Sequence, residues 1–101
     1  MSVTSTQTPT GTLHIAISGH FDFKTHREFL DAYAKAAGPI RACVVDLTHA
    51  DYLDSSALGM LLLLREAAGG DRADIRLRHC RSDVKKILTI ANFHKLFTLE
   101  D

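Results

Sequence analysis

The middle of the sequence joins a nearly all-apolar run to a leucine-rich one. Residues 42–47 read Ala-Cys-Val-Val-Asp-Leu, and a second apolar run extends from Ala57 to Leu64. The first run has the length and composition of a central strand that is covered on both faces. The second has the length of a helix, and the following Gly69 and Gly70 are typical of a helix end. A buried strand that leads into an apolar helix is the repeating unit of an α/β fold.

The N-terminal third predicts a hairpin and a first helix. Residues 3–8 form a weak β-type run, and residues 13–17 alternate between apolar and polar or small side chains, as a half-buried strand does. Because Pro-Thr-Gly at 9–11 has turn chemistry, we expect an antiparallel hairpin. Thr25 and Glu28 have the spacing of a capping box, in which each side chain satisfies a free backbone N–H at the helix start.

The C-terminal third supplies one more strand and one more helix. Residues 74–79 alternate, and we expect Ile75 and Leu77 to point inward. Ser82 can cap a last helix, and the apolar tail at 93–99 is expected to fold back on the core. We therefore predict an α/β fold with a mixed β-sheet that opens with a hairpin and has helices packed on it. Strands joined through helices should run parallel, with right-handed crossovers.

Length and charge exclude several classes of protein. The 101 residues are enough for one domain, which we expect to span 1–101 with 1–11 as a weak edge strand. Twelve Lys and Arg residues balance twelve Asp and Glu residues, so no global field attracts nucleic acid or an anionic membrane. No run approaches the length of a membrane span, and the polar N-terminus lacks the pattern of a signal peptide. We therefore expect a cytoplasmic protein in which Cys43 and Cys80 are reduced.

A polar cluster lies between the loop expected at residues 48–53 and the leucine-rich helix. Asp54, Ser55 and Ser56 are residue types that favour helix N-caps, and the simplest interpretation is that the serines cap the helix. One cap needs only one such residue, however. Gly59 lies inside the first turns of the same helix, where glycine costs about 1 kcal/mol relative to alanine. A close approach by another group would explain that glycine, and the cluster is therefore a candidate site.

These residues resemble a known family signature. Residues 44–47 (Val-Val-Asp-Leu) followed by 52–59 (Tyr-Leu-Asp-Ser-Ser-Ala-Leu-Gly) resemble the signature of STAS domains, in particular bacterial anti-sigma factor antagonists. Gly-His-Phe-Asp at 19–22 is similar to the segment that ends the second strand of the family. Asn-Phe-His-Lys-Leu-Phe at 92–97 is similar to its closing segment. The resemblance extends over about residues 12–99, and the predicted order of strands and helices agrees with it.

The resemblance implies a phosphorylation switch. In the family the second serine of the Asp-Ser-Ser run is the phosphoacceptor, which corresponds to Ser56, with Ser55 as the second choice. The modifying enzyme is typically an anti-sigma factor with an ATP-binding kinase fold, and a metal-dependent Ser/Thr phosphatase reverses the reaction. The unmodified protein binds the anti-sigma factor and so frees the sigma factor. Asp22 and Asp54 correspond to family positions near the phosphoacceptor, where two carboxylates would repel a phosphate.

Partner-binding residues are expected around the phosphoacceptor. They are Asp22, Asp54, Ser55, Ala57 and Gly59. Two positions depart from the family pattern. Ala57 stands where glycine is common, and its methyl group is expected to narrow a partner's approach slightly. His20 stands where a less bulky or an acidic residue is usual. Neither departure removes a phosphoacceptor.

Two alternative functions stay open. A STAS domain can be an accessory subunit of a transport system, such as the STAS component of a lipid ABC transporter. In another class, Ser56 could be the nucleophile of a small serine hydrolase with one of the six histidines as base. Against this, the Gly-x-Ser-x-Gly elbow is absent from the sequence. No spacing typical of a metal site or a nucleotide cofactor is present, so we expect no enzyme activity, no metal and no cofactor.

Overall fold

Strands and helices alternate along the chain, as the periodicity predicts. The computed structural model describes residues 2–35, 40 and 42–100. Within these residues the order is β1 (Ser2–Gln7), β2 (Thr12–Phe21), α1 (His26–Ala34), β3 (Ala42–Leu53), α2 (Ser55–Ala67), β4 (Asp74–Arg78), α3 (Ser82–Ile90) and β5 (Thr98–Glu100). Short 3-10 helices occupy Phe23–Thr25, Gly70–Arg72 and Phe93–Lys95. The predicted α/β class is confirmed.

The strands form one mixed sheet in the spatial order β1-β2-β3-β4-β5. β1 and β2 pair antiparallel across the turn at residues 8–11, which confirms the hairpin. Each later strand pairs parallel with its predecessor. The three helices all connect neighbouring parallel strands in the same direction along the sheet. Crossovers between parallel strands are right-handed in nearly all proteins, and successive crossovers of one hand and one direction place their helices on the same face of a sheet.

Alternate residues of the strands point into one core beneath the helices. The buried strand residues are Leu13, Ile15, Ile17, Cys43, Val45, Leu47, Ile75 and Leu77. They share a hydrophobic cluster with Phe29 of α1, Leu61 and Leu64 of α2, and Leu88 of α3. Full burial of one such side chain contributes about 1.5–3 kcal/mol, so this cluster holds the helices on the sheet. The inward orientation predicted for β4 is confirmed.

The opposite face of the sheet carries no helix among the residues that the structure describes. The expectation that β3 is covered on both faces is therefore wrong. Ala16 on β2 and Arg76 on β4 are exposed on this open face, and Asp46 on β3 is half-buried. Val44 lies there between His14 and Arg76 and is shielded by these neighbouring strands. The apolar character of β3 reflects its central place in the sheet rather than a second layer of helices.

β3 is longer than its apolar run. Residues 48–53, predicted as a loop, continue the strand because β2 extends beside them as far as Phe21. The parallel register shifts twice along this extension. Gly19 lies at the second shift with a φ of 85°, a conformation that glycine adopts without strain. Because of this extension β2 and β3 end side by side, where Phe21 pairs with Leu53.

The start of α1 differs from the predicted capping box. The hydroxyl oxygen of Thr25 accepts the N–H of Asp22, which precedes the 3-10 helix, at 3.1 Å. The carboxylate of Glu28 instead accepts the N–H of Val3 on β1 at 3.3 Å. The predicted reciprocal pair between Thr25 and Glu28 is therefore wrong. The side-chain oxygens of both residues accept hydrogen bonds from a neighbouring segment. The spacing of residues along one helix does not predict such bonds.

The C-terminal segment also differs in detail. Ser82 is the first residue of α3, and its predicted cap is not formed, since Arg81 holds the N-cap position without a side-chain bond. The apolar tail folds back as expected, with Phe93 and Phe97 buried. Its end adds the short parallel strand β5 beside β4. Three residues are too few to show strand periodicity, so the sequence did not predict β5.

Candidate functional site

Two aspartates follow the ends of β2 and β3. Phe21 and Leu53 are paired and buried, and Asp22 and Asp54 directly follow them. Neighbouring parallel strands end at the same edge of a sheet. The two carboxylates, which are 32 positions apart in the sequence, therefore lie at adjacent strand ends.

Asp54 is the N-cap of α2. Its backbone is extended, with φ −112° and ψ −176°, and its Oδ1 atom accepts the N–H of Ala57 at 3.0 Å. The same oxygen accepts the hydroxyl of Ser56 at 2.6 Å. The Ser56 hydroxyl and the Ala57 N–H stabilise the charged carboxylate, so they hold the pKa of Asp54 below its usual range. Asp54 alone fills the capping role, and the interpretation that the two serines cap the helix is wrong.

The two serines occupy the first two positions of α2. Ser55 is exposed and Ser56 is half-buried. The Ser56 hydroxyl donates to Asp54, so this carboxylate fixes where its oxygen points. Neither hydroxyl is needed to begin the helix. Both are placed where the backbone N–H groups of a helix start create a positive partial charge.

A buried threonine holds the turn that carries Asp22. Thr25 is fully buried, and its hydroxyl donates to the carbonyl of Asp22 at 2.6 Å while accepting the Asp22 N–H. The Asp22 carboxylate accepts the N–H of Lys24 at 3.0 Å. These bonds lie within one turn, so Asp22 is positioned by local structure rather than by Ser56.

Ala57 and Gly59 face opposite ways on α2. The side chain of Ala57 is fully buried, so the expectation that its methyl group narrows a partner's approach is wrong. Gly59 is exposed, and a Cβ added there would meet no atom of the described residues within 4 Å. Leu62 and Leu63 are also exposed, by 39% and 54%. We call Gly59, Leu62 and Leu63 the α2 outer surface, which begins one turn beyond Ser56.

Aromatic and imidazole side chains also lie near these strand ends, and of them the sequence analysis singled out only His20. Phe23, next to Asp22, is 74% exposed and stacks on His26 with ring centres 6.3 Å apart. His20 lies 5.3 Å from the ring of Tyr52, and its Nε2 atom is 3.6 Å from Asp51. The sequence places the aromatic residue Phe23 directly after the carboxylate that follows β2, and this position was the sequence feature that could have identified it. The side chain of His20, which departs from the family pattern, therefore faces solvent at this edge.

The site offers a hydroxyl and two carboxylates. Among the described residues no group of three or more His, Cys, Asp or Glu side chains is placed to hold a metal ion. Within the same part of the chain, none of the helices has both the length and the apolar character needed to span a membrane.

Sequence comparisons connect most of the chain to a family. A family model described as "Mlab, STAS domain" matches residues 4–99. A STAS-domain containing protein of Pseudomonas aeruginosa is 56% identical over 87 residues, which are 86% of this chain and 86% of that protein.

Solved structures share the fold at low sequence identity. The anti-sigma factor antagonist SpoIIAA in its unphosphorylated form has a TM-score of 0.68 at 13% identity, over 88% of this chain and 83% of that chain. The phosphorylated form of SpoIIAA from Bacillus also has a TM-score of 0.68 at 13% identity, over 97% and 90%. A sulfate transporter family protein from Wolinella succinogenes has a TM-score of 0.79 at 14% identity, over 95% and 81%. At these identities the likeness concerns the fold alone.

Proposed function

Because this chain belongs to the STAS domain family, we propose that it is a cytoplasmic anti-sigma factor antagonist. In this proposal the single domain of residues 1–101 is a non-catalytic module. It binds an anti-sigma factor when Ser56 is unmodified and releases it when Ser56 carries a phosphate. The position of Ser56 carries the proposal, since this residue is half-buried at the start of α2 and its hydroxyl is not used as the helix cap.

The fold can accept a phosphate on Ser56. A phosphoester has no hydrogen to donate to Asp54, and its charge of about −1.5 to −2 repels that carboxylate, so the 2.6 Å bond is lost. Loss of a hydrogen bond to a charged group costs about 1.5–3 kcal/mol. The start of α2 returns about 0.3–1 kcal/mol by favouring an anion. Apart from the repulsion between the phosphate and Asp54, these two contributions leave a cost of about 0.5–2.7 kcal/mol, which is smaller than a typical domain stability of about 5–15 kcal/mol.

The same phosphate has a larger effect in an interface. The α2 outer surface is apolar and begins one turn from Ser56, so a partner that covers it also covers the hydroxyl. Removing a phosphate from water without pairing costs several kcal/mol. A penalty of about 3 kcal/mol weakens binding by roughly a hundredfold. The interface term exceeds the net cost to the fold, which allows the modification to control binding without unfolding the protein.

The carboxylates have a proposed role in turnover of the phosphate. Asp54 contacts the Ser56 hydroxyl directly, and Asp22 lies at the adjacent strand end. Both would repel a phosphate on Ser56, which makes the phosphoester easier to lose and supports its removal by a Ser/Thr phosphatase. The proposed partners are thus an anti-sigma factor with kinase activity and such a phosphatase. Ser55, exposed next to Ser56, is the second choice of acceptor.

A role as an accessory subunit of a transporter is the second candidate. The shared fold with a sulfate transporter family protein favours it, as does the Mlab description of the family model. In that case a transporter ATPase binds the chain and Ser56 stays unmodified. A hydrolase is disfavoured, because the Ser56 hydroxyl donates to Asp54, whose lowered pKa makes it a weak base.

Intact-mass analysis tests the proposal. The purified chain is incubated with ATP and a lysate of its source organism, and the modified peptide is mapped. We expect an added mass of about 80 Da for one phosphate in the wild type and in Ser55→Ala, and none in Ser56→Ala. Ser55→Ala is the matched control, since it removes the neighbouring hydroxyl. Phosphate uptake by Ser56→Ala, or isolation of the chain from cells with a transporter ATPase and without phosphate, would contradict the proposal.

A further inference from the structure

The outer edge of β1 lies open beside α1. β1 is the terminal strand of the sheet, and within the described residues no strand pairs with its other side. Its sequence, Ser-Val-Thr-Ser-Thr-Gln, contains no charged residue and no proline. Edge strands usually carry such residues, because they prevent pairing with another chain. An edge without them is a template for a further strand.

One hydrogen bond shows which backbone groups face outward along this edge. The N–H of Val3 donates to Oε2 of Glu28 on α1 at 3.3 Å, so it points away from β2. Backbone groups alternate in direction along a strand, so the N–H and C=O groups of Ser5 also face outward. Those of Thr4 and Thr6 face β2, with which they pair.

The charges beside the edge are arranged with opposite signs at its two ends. A groove of about 230 Å³ lies between β1 and α1 and is lined by Val3, Ser5, Glu28, Asp31, Ala32 and Lys35, so its charged groups are two carboxylates and one ammonium. Glu28 lies at the Val3 end, where it accepts the backbone bond. Lys35 also lines the adjoining hollow beside residues 5–7, at the other end of the strand. The edge therefore has an acidic end and a basic end.

We propose that the outer edge of β1 pairs antiparallel with β1 of a second copy of this chain. A register centred on Ser5 pairs this residue with its own copy, and two-fold symmetry brings the acidic end of each edge to the basic end of the other. Glu28 of each copy then lies beside Lys35 of the other. Val3 exchanges its bond to Glu28 for a backbone carbonyl of the second strand, which leaves the Glu28 carboxylate available to that lysine.

Charge complementarity selects a second copy over an unrelated extended segment. The uncharged strand puts no like charges opposite each other when it pairs with itself. The flanking charges become two symmetric ion pairs, an arrangement that an unrelated segment has no reason to supply. The joined sheet leaves α2 and Ser56 of both copies on elements other than the paired strands, so this dimer does not depend on the proposed phosphorylation.

Sedimentation equilibrium of the full chain tests the dimer. We expect the mass to rise from 11.1 kDa towards twice that value as the concentration increases from about 1 μM to about 1 mM. Ser5→Pro removes an outward N–H and no bond to β2, so this variant should stay folded and monomeric. A circular dichroism spectrum identical to that of the wild type confirms its fold.

A charge exchange tests the pairing independently of the strand backbone. Glu28→Lys and Lys35→Glu should each raise the dimer dissociation constant about tenfold, because each replaces two attractive pairs with two repulsive ones. The double variant restores opposite charges and should return within about threefold of the wild type. A wild type that stays monomeric to about 1 mM overturns the proposal, and the edge is then left to an extended segment of another protein. A dimer that Ser5→Pro leaves intact, or that the double variant does not restore, also overturns it.

Discussion

Gly59→Ala separates the stability of α2 from its use as a binding surface. Gly59 is an exposed interior residue of this helix, and an added Cβ would meet no atom within 4 Å in the part of the chain that the structure describes. No contact in that part of the chain therefore requires glycine at this position. Alanine should stabilise the helix, because glycine is less favourable by about 0.8–1.0 kcal/mol in a helix interior.

The expected effects on stability and on binding have opposite signs. A gain of about 1 kcal/mol raises the midpoint of thermal unfolding by about 4–8 °C for a domain of this size. If an anti-sigma factor packs against the α2 outer surface, the new methyl group forces a gap or a clash there. Overpacking of a fitted surface typically costs about 1–3 kcal/mol, which corresponds to roughly 5- to 150-fold weaker binding.

Two measurements on one preparation check both effects. Urea unfolding followed by circular dichroism should show a midpoint raised by about 0.5–1 M. Isothermal titration calorimetry with the anti-sigma factor measures the affinity. Thr89→Ala is a matched control, since it replaces an exposed residue of α3 with a better helix former and lies on another helix. It should raise stability without changing affinity.

Either result can refute the reasoning. If Gly59→Ala unfolds at a lower urea concentration than the wild type, the space around this position is too small for an added methyl group. If it is stabilised and binds with unchanged affinity, the α2 outer surface is not covered at Gly59 by the partner. Glycine would then have no role there that the structure explains.

Three further predictions follow from local chemistry. Asp54→Asn keeps the helix cap but removes a carboxylate whose pKa is held low by the Ser56 hydroxyl. That carboxylate stabilises the fold above its usual pKa of about 3.9, and this stabilisation is lost as the pH falls. The free energy of unfolding of the variant should therefore fall less steeply than that of the wild type between about pH 4 and pH 2. Thr25→Val leaves the buried turn without its two hydroxyl hydrogen bonds and should lower the free energy of unfolding by about 1–3 kcal/mol. Thr25→Ser keeps a hydroxyl and should lower the free energy of unfolding by less. Equal stability of the two variants in urea would refute this prediction. Burial raises the pKa of the Cys43 thiol to about 12. Alkylation of the native protein near pH 8 should therefore modify Cys80 and spare Cys43 until the protein is unfolded. Labelling of Cys43 in the native protein would contradict its burial.

The sequence predicted those parts of the fold that depend on local periodicity. The second strand of the hairpin and the inward residues of β4 show a period of two, and the leucine-rich helix α2 was predicted from the length of its apolar run and from the residues at its two ends. It did not predict the extension of β3 through residues 48–53, because those residues are paired by an equally extended β2. It also did not predict the open face of the sheet, since an apolar strand such as residues 42–47 looks the same whether helices or flanking strands cover it.

The candidate site was predicted in composition but not in detail. The Asp54-Ser55-Ser56 cluster was singled out from its residue types, whereas Asp22 and the choice of Ser56 came from the resemblance to STAS domains. The structure places Asp22 and Asp54 at adjacent strand ends. Which residue caps α2 depends on the backbone of Asp54, which is extended while the serines are helical. The burial of Ala57 depends on the rotation of the helix against the sheet. Both are properties of tertiary packing, which sequence spacing alone does not contain.

The affinity of the Ser56-phosphorylated protein for the anti-sigma factor, measured beside that of the unmodified protein, tests the proposed function most directly. Titration calorimetry should show binding weakened by about a hundredfold or more. Thermal unfolding of the same samples should show that the phosphorylated protein is still folded at the temperature of the titration. Equal affinity of the two forms would contradict the account, and so would a loss of binding that is accompanied by unfolding.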